Sequence, residues 1–526
     1  MTLPILLSVF LIPAVSIPFV YLVGKKSAKW AAIFVALIAM VNIVLVLSTV
    51  PTVLNNSSHQ WIESYTWFAT GSVSVSFSLF TDGISVSIAL VSLILMVVAA
   101  LFSINYMAGK KHIAIYYALL TMLSVGLVGV FITSNLILFY LCWELMLVPA
   151  YFIIGEWGYK DSYKQAFKFF IWTHAGAVFV LLGIGAVYIT TGTANMFTAQ
   201  AALLTASPTI VKWILIALTG GFAVKMAVIP VHMWLPDAHS EAPAPMSALL
   251  SGVIISAGAY AILRLSLGMV LPSVGVTFAT DFLHGLAIIG ILSAFFGSAV
   301  ALVSTDIKRL IAYSSIAHMG YIMFGLSLFP ASAAAGTIVL LSSAIAITGT
   351  VMHIISHALS KGLLFLSAGG IMHQTEERDI RKMGGLAGKM PFTAVSSTIA
   401  ALSIGGAPPF ACFISEFLIF VGAFDVIRVD SFYIIPTALM LVATVISLAY
   451  MLRFVSFIFF GQPKGENGEE IKEAEAKEGE QVKEGHKGLE VPNWIKLSFA
   501  ILVVLVVFVG IYPSFFIHLI QTVSMG

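Results

Sequence analysis

Two acidic side chains lie deep inside long apolar stretches of this chain, where a charge is rarely tolerated without a role. Glu144, in LCWELMLVPAYF, and Glu416, in ACFISEFLIF, are the only ones among 24 acidic residues in such positions. A charge at the centre of a bilayer costs at least about 2.5–3.5 kcal/mol on insertion scales. Carboxyl groups there can take up and release protons, so we predict a proton pathway. A structural ion pair between helices is the alternative interpretation.

A stripe of titratable residues occurs later in the chain. His353, His357 and Lys361 follow one another at intervals of four residues in VMHIISHALSKGLLF. A helix would carry them on one face over about 12 Å. Histidine titrates near neutral pH and can pass a proton in either direction. A lone histidine in an apolar helix is more often a hydrogen-bonded core residue, but three such groups on one stripe favour a relay. His318, in DIKRLIAYSSIAHMGYI, is a weaker single candidate, and His174 is weaker still.

Lys225 and Glu416 each lie beside a predicted helix break. Lys225 is followed by Pro230, which lacks an N–H group and clashes with the carbonyl of Met226. Before Glu416, the segment SIGGAPPF places two glycines and two prolines at 405–409. Broken helices at membrane depth are tolerated where they line a polar cavity, and two of them in separate halves of a chain are typical of transport half-sites.

The elements that must position these residues are membrane-spanning helices. Of the 526 residues, 60% are hydrophobic and 10% are charged, whereas soluble domains carry about 25% charged residues. Apolar runs of spanning length recur along the chain, and we predict an all-α polytopic protein. The fourteen predicted spans are 3–23, 30–50, 83–105, 114–132, 135–155, 167–190, 211–230, 246–266, 278–302, 309–329, 336–370, 391–423, 433–460 and 494–520. The span from 336 is long enough to be bent, tilted or broken, 51–82 is predicted to be a polar loop, and 462–490 a solvated connection.

Two groups of five spans, 114–266 and 278–460, form the predicted repeats. An odd number of helices per unit would make the two units inverted relative to each other. The predicted organisation is helices 1–3 in 1–105, the first repeat in 106–270, the second in 271–460, a charged cytoplasmic loop in 461–493 and the last helix in 494–526.

Lysine and arginine in the loops predict the orientation. Loops after odd-numbered spans hold 18 of these residues, whereas loops after even-numbered spans hold only Arg428. Basic loops remain in the cytoplasm. Both termini are therefore predicted to be outside, and the first span, which has no basic region before it, is predicted to be a retained helix.

Several site types find no support in the residues. Cys142 and Cys412 have no partner at metal-ligand spacing, and an iron–sulfur cluster needs about four thiolates. No glycine-rich phosphate loop follows a strand pattern. The net charge of +2 does not indicate a nucleic-acid partner. We therefore predict no cofactor or metal in this chain, and the lipid bilayer as its surroundings.

Taken together, these segments resemble the antiporter-like membrane subunits of respiratory complex I, most closely the NuoM type. The resemblance rests on the Trp143-Glu144 pair, HMWLPDAHSEAPAPMSALLSGV, DIKRLIAYSSIAHMGY, the His353–Lys361 helix and the broken helix before Glu416. It covers roughly residues 80–460. Cation/proton antiporter subunits of the Mrp type share most of these motifs.

The resemblance implies a residue-by-residue pathway with one departure. It implies fourteen helices in two inverted five-helix repeats, each with a discontinuous helix, and assigns Glu144 and Lys225 to a first half-channel. His353, His357 and Lys361 would lie on the eleventh helix, with Glu416 as the exit residue on the twelfth. In the family, a lysine of the eighth helix carries protons between the halves. Ser256 stands at that position here, so the central relay would run through water, His318 or Lys361.

The function implied is that of a proton-translocating subunit in the plasma membrane. Its partners would be other membrane-arm subunits and, indirectly, iron–sulfur redox subunits of a complex-I-like dehydrogenase. The alternatives are an Mrp-type antiporter subunit, a hydrogenase-linked membrane arm and a structural spacer that does not pump. Ser256 is the feature that supports the spacer, and a Ser256→Lys change that raised the proton yield per electron would favour it.

Overall fold

The computed structural model describes residues 4–56, 58–70, 73–331, 337–462 and 489–524 as a bundle of long helices with one β-hairpin. The hairpin pairs β1 (Trp61–Thr70) with β2 (Val73–Thr81) in antiparallel register. The helices are α1 (Ile5–Lys26), α2 (Ala28–Asn55), α3 (Gly83–Tyr106), α4 (Ile113–Ile132), α5 (Leu136–Trp157), α6 (Ser162–Thr191), α7 (Met196–Leu203), α8 (Pro208–Met226), α9 (Leu235–Glu241), α10 (Ala244–Ser273), α11 (Val276–Val303), α12 (Ile307–Ser327), α13 (Thr337–Thr375), α14 (Pro391–Ile404), α15 (Ala411–Ile427), α16 (Ile434–Phe459), α17 (Asn493–Ile511) and α18 (Ser514–Ser524).

The number of predicted spans agrees with these helices. Within the described ranges, thirteen helices are long and apolar enough to cross a membrane. The remaining predicted span is divided between α14 and α15, each of them shorter than a spanning helix. A polytopic all-α fold is therefore confirmed.

Both predicted helix breaks are present. α8 ends at Met226, one residue after Lys225, and Ala227 adopts a left-handed conformation with φ of 58°. Helical structure resumes only at Leu235. α14 ends at Ile404, and α15 begins at Ala411. The missing N–H groups of the prolines in both segments explain why neither helix continues.

The segment 51–82 corrects the prediction of a polar loop. α2 continues to Asn55, and β1 and β2 then form a hairpin with a register shift between Thr66 and Phe68. In SVSVSFSLF, small polar and apolar residues alternate with the period of two that indicates a strand. The serine content had suggested a loop, but the alternation was the stronger signal.

Three other predictions concern the last span, the long span from 336 and the solvated connection. The last predicted span, 494–520, is two helices, because Pro513 interrupts it between α17 and α18. The long span from 336 is one helix of 39 residues, α13. The predicted solvated connection lies outside the described residues over 463–488.

Small residues bring the central helices close together. An added Cβ on Gly320 of α12 would lie 2.5 Å from the backbone nitrogen of Ala294 on α11. An added Cβ on Gly349 of α13 would lie 2.6 Å from the nitrogen of Ile419 on α15. Close approach at small residues is the usual packing of membrane helices. It holds α13 against α15 one turn away from His353.

The most buried helices lie at the centre of the bundle. α10 is buried along its whole spanning length, and α3 and α12 nearly so, whereas α1 and α16 expose many apolar side chains. Exposed apolar faces of this kind suit lipid or neighbouring membrane proteins. The two cysteines, Cys142 and Cys412, are both buried and free.

Candidate functional site

Glu144 lies on α5 near the surface of the chain, where its partner is a histidine of the next helix. Its Oε2 atom is 3.2 Å from Nδ1 of His174 on α6. The side chains are 25% and 48% exposed, respectively. The second carboxylate oxygen of Glu144 is buried and has no hydrogen-bond partner among the described residues. Since an unpaired buried acceptor is unfavourable, this oxygen is available to a further donor.

Lys225 lies in the last turn of α8, inside the bundle. Its ammonium donates a hydrogen bond of 2.9 Å to the carbonyl of Trp143 and lies 4.1 Å from the centre of that indole ring. A cation over an indole face is attracted by the ring quadrupole.

Glu144 and Lys225, which the resemblance assigns to one half-channel, therefore form no direct ion pair in this structure. Lys225 is turned toward the backbone and ring of Trp143, while Glu144 is turned toward His174. The two residues lie in one site without touching, and His174, the weakest sequence candidate, is the residue that holds the carboxylate.

The stripe on α13 faces the interior of the bundle. His353, His357 and Lys361 are all fully buried. The ammonium of Lys361 donates a hydrogen bond of 3.1 Å to the carbonyl of Ile311 on α12 and another to the hydroxyl of Ser314. Neither ring nitrogen of His357 has a partner among the described residues. Buried groups of this kind are usually satisfied by ordered water.

Four helices meet around His353, at the N-terminal end of this stripe. Nδ1 of His318 on α12 is 3.1 Å from Nε2 of His353. The other nitrogen of each ring contacts a hydroxyl: Nδ1 of His353 is 2.9 Å from Ser415 on α15, and Nε2 of His318 is 3.3 Å from Ser447 on α16. A carboxylate oxygen of Glu416 lies within 4.8 Å of both rings. We call His318, His353 and Glu416 the histidine–glutamate cluster.

The broken helix brings its backbone against Glu416. Gly406, in the unwound segment, has φ of 69°, a conformation that L residues rarely adopt. A Cβ at Gly406 would lie 2.5 Å from Oε2 of Glu416. Only glycine therefore allows the carboxyl group to lie directly beside the unwound backbone.

The sequence reasoning missed four buried acidic, basic or histidine residues: Glu63, Asp82, His239 and Lys308. Lys308 was counted as a loop residue, but it is fully buried at the start of α12 and donates a 2.5 Å hydrogen bond to the carbonyl of Ala242. His239 on α9 is fully buried, and neither ring nitrogen has a partner in the described part of the chain. Its ring stacks 4.6 Å from Phe365, which continues the α13 stripe by four residues. The position of His239 just after the broken helix was the available signal.

Charged residues hold this end of the bundle together. The guanidinium of Arg378 donates to Asp306 at 2.8 Å and to Glu241 at 3.3 Å. In the adjoining loop, hydrogen bonds from Arg381 hold the pKa of Asp379 below its ordinary value. These pairs join the end of α9, the start of α12 and the segment after α13, and so fix the surroundings of Lys308.

Serine hydroxyl groups form hydrogen bonds of α10 at the centre of the molecule. Ser256, at the position where the resemblance led us to expect a lysine, donates a 3.0 Å hydrogen bond to the carbonyl of Gly252 in its own helix. One turn earlier, the hydroxyl of Ser251 is 2.8 Å from that of Ser315 on α12. π-helical turns over 250–254 and 262–270 flank this part of α10, and such turns are frequent at functional sites.

The structure divides the seven predicted residues into two groups. Glu144 and Lys225 form a first group on α5 and α8. The other five form a second, contiguous group on α12, α13 and α15: His318, His353, His357, Lys361 and Glu416.

Comparison with known families identifies two matching regions. Residues 133–447, more than half of the chain, match the family described as NADH:quinone oxidoreductase/Mrp antiporter, transmembrane region. Residues 67–117 match the N-terminal region of chain 5 of NADH-ubiquinone oxidoreductase, complex I.

Individual relatives extend over nearly the whole chain. NADH-quinone oxidoreductase subunit M of Rickettsia typhi is 31% identical over 520 residues, which cover 97% of this chain and 96% of the relative. A chain of the membrane-bound sulfane sulfur reductase, an archaeal respiratory membrane complex, is 27% identical with a TM-score of 0.78, covering 97% of this chain and 76% of that one. A chain of respiratory complex I from Thermus thermophilus, 21% identical, has the same fold, with a TM-score of 0.79 and coverage of 99% and 98%.

Proposed function

Because the chain belongs to the NADH:quinone oxidoreductase/Mrp antiporter family, we propose that it is a proton-translocating membrane-arm subunit of a complex-I-like oxidoreductase. Electron transfer in partner subunits drives proton movement through this chain, which has no redox chemistry of its own. The observation that carries the proposal is the second group of buried titratable residues, from Lys361 to Glu416, inside a bundle of apolar helices. Ionisable residues at membrane depth mark ion pathways by default.

In the first half-site, Glu144 exchanges between two partners. With His174 it forms the hydrogen bond described above, and with Lys225 it forms an ion pair when both side chains turn inward. An opposite charge stabilises the ionised form of each partner. Separation of the pair therefore favours proton uptake by the carboxyl group and proton release by the lysine.

In the second half-site, protons pass along α13 toward Glu416. Lys361 and His357 receive them, and the facing nitrogens of His353 and His318 transfer them to the carboxyl group. Water must carry the proton to and from His357, since neither of its ring nitrogens has a hydrogen-bond partner among the described residues. Ser256 holds no charge at neutral pH, so water and Lys361 replace the central lysine of the family.

The two half-sites belong to two inverted units of five spans, 106–270 and 271–460. Each unit contains one of the broken helices, α8–α9 and α14–α15. The loops rich in lysine and arginine face the cytoplasm, which places both termini outside the plasma membrane. The three N-terminal helices (1–105), the charged loop 461–493 and the last helix (494–526) lie outside the two units.

Neighbouring membrane-arm subunits cover the surface at Glu144. A carboxylate and an imidazole exposed to lipid would be unfavourable, and both Glu144 and His174 are partly exposed on the isolated chain. A second membrane subunit at this surface would bury them. Iron–sulfur redox subunits are reached through such neighbours.

An Mrp-type cation/proton antiporter subunit is the second candidate. The family description covers both kinds of protein, and the same residues would then serve cation exchange without a redox partner. A hydrogenase-linked arm is a variant of the first proposal. The structural spacer is the remaining alternative, in which the chain no longer pumps protons because a serine, Ser256, stands in place of the expected lysine.

Purification of the chain from its native membrane under mild conditions separates the oxidoreductase, hydrogenase and antiporter candidates. We expect iron–sulfur subunits to copurify with it, and quinone-type reductase activity in the same fraction, because the chain contributes only the membrane pathway. A nickel–iron partner would identify the hydrogenase variant. Recovery with small membrane proteins alone, and no iron, would contradict the proposal and favour the antiporter.

A further inference from the structure

The histidine–glutamate cluster has the composition and spacing of a metal-binding site. One nitrogen each from His318 and His353 and one carboxylate oxygen from Glu416 all lie within 4.8 Å of one another. We propose that these three residues bind a single Zn²⁺ ion, or a similar divalent transition metal, with water as the fourth ligand. The three ligands come from three helices, so cysteine and histidine spacing in the sequence did not reveal them.

The donor set selects the class of metal. Two imidazoles and one carboxylate with an open position form the ligand set of many zinc sites that retain a water molecule. Ca²⁺ and Mg²⁺ prefer oxygen ligands, whereas imidazole suits zinc, copper, nickel and iron. The two facing nitrogens are 3.1 Å apart, close to the separation of about 3.3 Å that zinc–nitrogen bonds of about 2.0–2.1 Å give in a tetrahedron.

The outer nitrogens of both rings are already oriented as metal sites require. Histidine ligands almost always donate their second N–H group to a fixed acceptor. Nδ1 of His353 contacts the hydroxyl of Ser415 at 2.9 Å, and Nε2 of His318 contacts the hydroxyl of Ser447 at 3.3 Å. When both rings carry their proton on the outer nitrogen, the facing nitrogens, Nε2 of His353 and Nδ1 of His318, direct their lone pairs to the ion.

The surrounding charges allow a cation. The nearest carboxylate, Glu416, neutralises half of the ion's charge. Lys361 lies about two helical turns from His353, and its ammonium is bound to Ile311 and Ser314. Tyr321, Tyr450 and His357, the other titratable rings facing the cluster, are neutral in their common forms. The unwound backbone at Gly406 lies against Glu416.

Bound zinc would occupy the atoms through which protons pass in the proposed function. This consequence rests on that function, whereas binding itself does not. Zinc should therefore block translocation reversibly, and a chelator should restore it.

The test measures zinc on the purified chain, or on the complex that contains it, without turnover. After equilibration with Zn²⁺ and desalting, we expect one tightly held ion per chain. Zinc X-ray absorption should show two imidazoles, with zinc–nitrogen distances of about 2.0–2.1 Å. A sulfur shell at about 2.3 Å would instead implicate Cys412 and overturn the ligand set.

Matched variants locate the ion. His353→Gln should abolish tight binding. Ser415→Ala removes only the hydroxyl that orients His353 and should weaken binding about 10–100-fold. Ser356→Ala, one turn from His353 and bonded to the carbonyl of Ala411, should leave affinity unchanged. Equal affinity in the His353→Gln and unmodified proteins would overturn the proposal.

Inhibition assays separate this site from the proposed function. Zinc bound by the three ligands, together with blocked translocation, supports both. Zinc bound in the same way without any effect on translocation supports the metal site and overturns the proton route through it. Absence of tight binding in an actively pumping complex overturns the metal site alone.

Discussion

Glu416→Gln is expected to abolish proton translocation while the protein still assembles. Glutamine has nearly the shape of glutamate and can remain beside Gly406, but it cannot exchange a proton. Glu416 is the carboxyl group next to His318 and His353, so the chain of proton carriers loses its last member. A positioned proton donor or acceptor typically contributes about a hundredfold or more to rate, and we expect a loss of that size. Proton uptake by proteoliposomes containing the purified complex, followed with a pH-sensitive dye, measures it.

The same helix supplies the control for this variant. Asp425 lies in the last turn of α15, where it forms a 3.6 Å ion pair with the exposed Arg428. Asp425→Asn removes a carboxylate from α15 without touching the cluster, so translocation should stay near the unmodified rate. Full proton uptake in the Glu416→Gln protein would remove Glu416 from the pathway.

Glu144→Gln should have an effect of similar size through the other half-site. The side-chain oxygen of glutamine can still accept a hydrogen bond from Nδ1 of His174, so the helix packing is preserved. The neutral amide cannot form the ion pair with Lys225 and cannot take up a proton. Proton translocation through this chain should therefore slow about a hundredfold or more and lower the proton yield per electron, with the subunits still present in normal ratio on a native gel.

Glu156 is the matched control on α5. It lies in the last turn of this helix and accepts a hydrogen bond of 2.5 Å from Tyr163 at the exposed end of α6. Glu156→Gln should leave the proton yield unchanged. If Glu144→Gln pumps as well as Glu156→Gln does, the exchange between His174 and Lys225 is not part of the mechanism.

The helices and their breaks were predictable because they depend on local chemistry. Pro230 and the prolines at 408 and 409 each remove a backbone N–H donor and so disfavour continuation of a helix. The hairpin at 61–81 was also readable from its alternation, but serine content was given more weight. The break at Pro513 has the same cause as the other two and was overlooked because the apolar run of α17 continues through α18.

Only those features of the site that lie within a single helix were predictable from the sequence. The spacing of His353, His357 and Lys361 fixes their common face, since helical periodicity is a local property. The partner of Glu144 was not predictable, because His174 and Lys225 lie on different helices and both lie near the carboxyl group. Lys308 resembled a loop lysine for the same reason: its burial depends on the packing of α9 against the start of α12.

The burial of both native cysteines has a practical consequence for labelling. Cys142 and Cys412 are the only thiols in the chain, and both are enclosed by the bundle. A membrane-impermeant maleimide should therefore not react with the folded protein, which serves as its own cysteine-free background. A single cysteine at Gly388, where an added Cβ has open space, or at the exposed Ser207, then becomes a unique reporter. Labelling of one from the inside and of the other from the outside would read the sidedness of the chain directly.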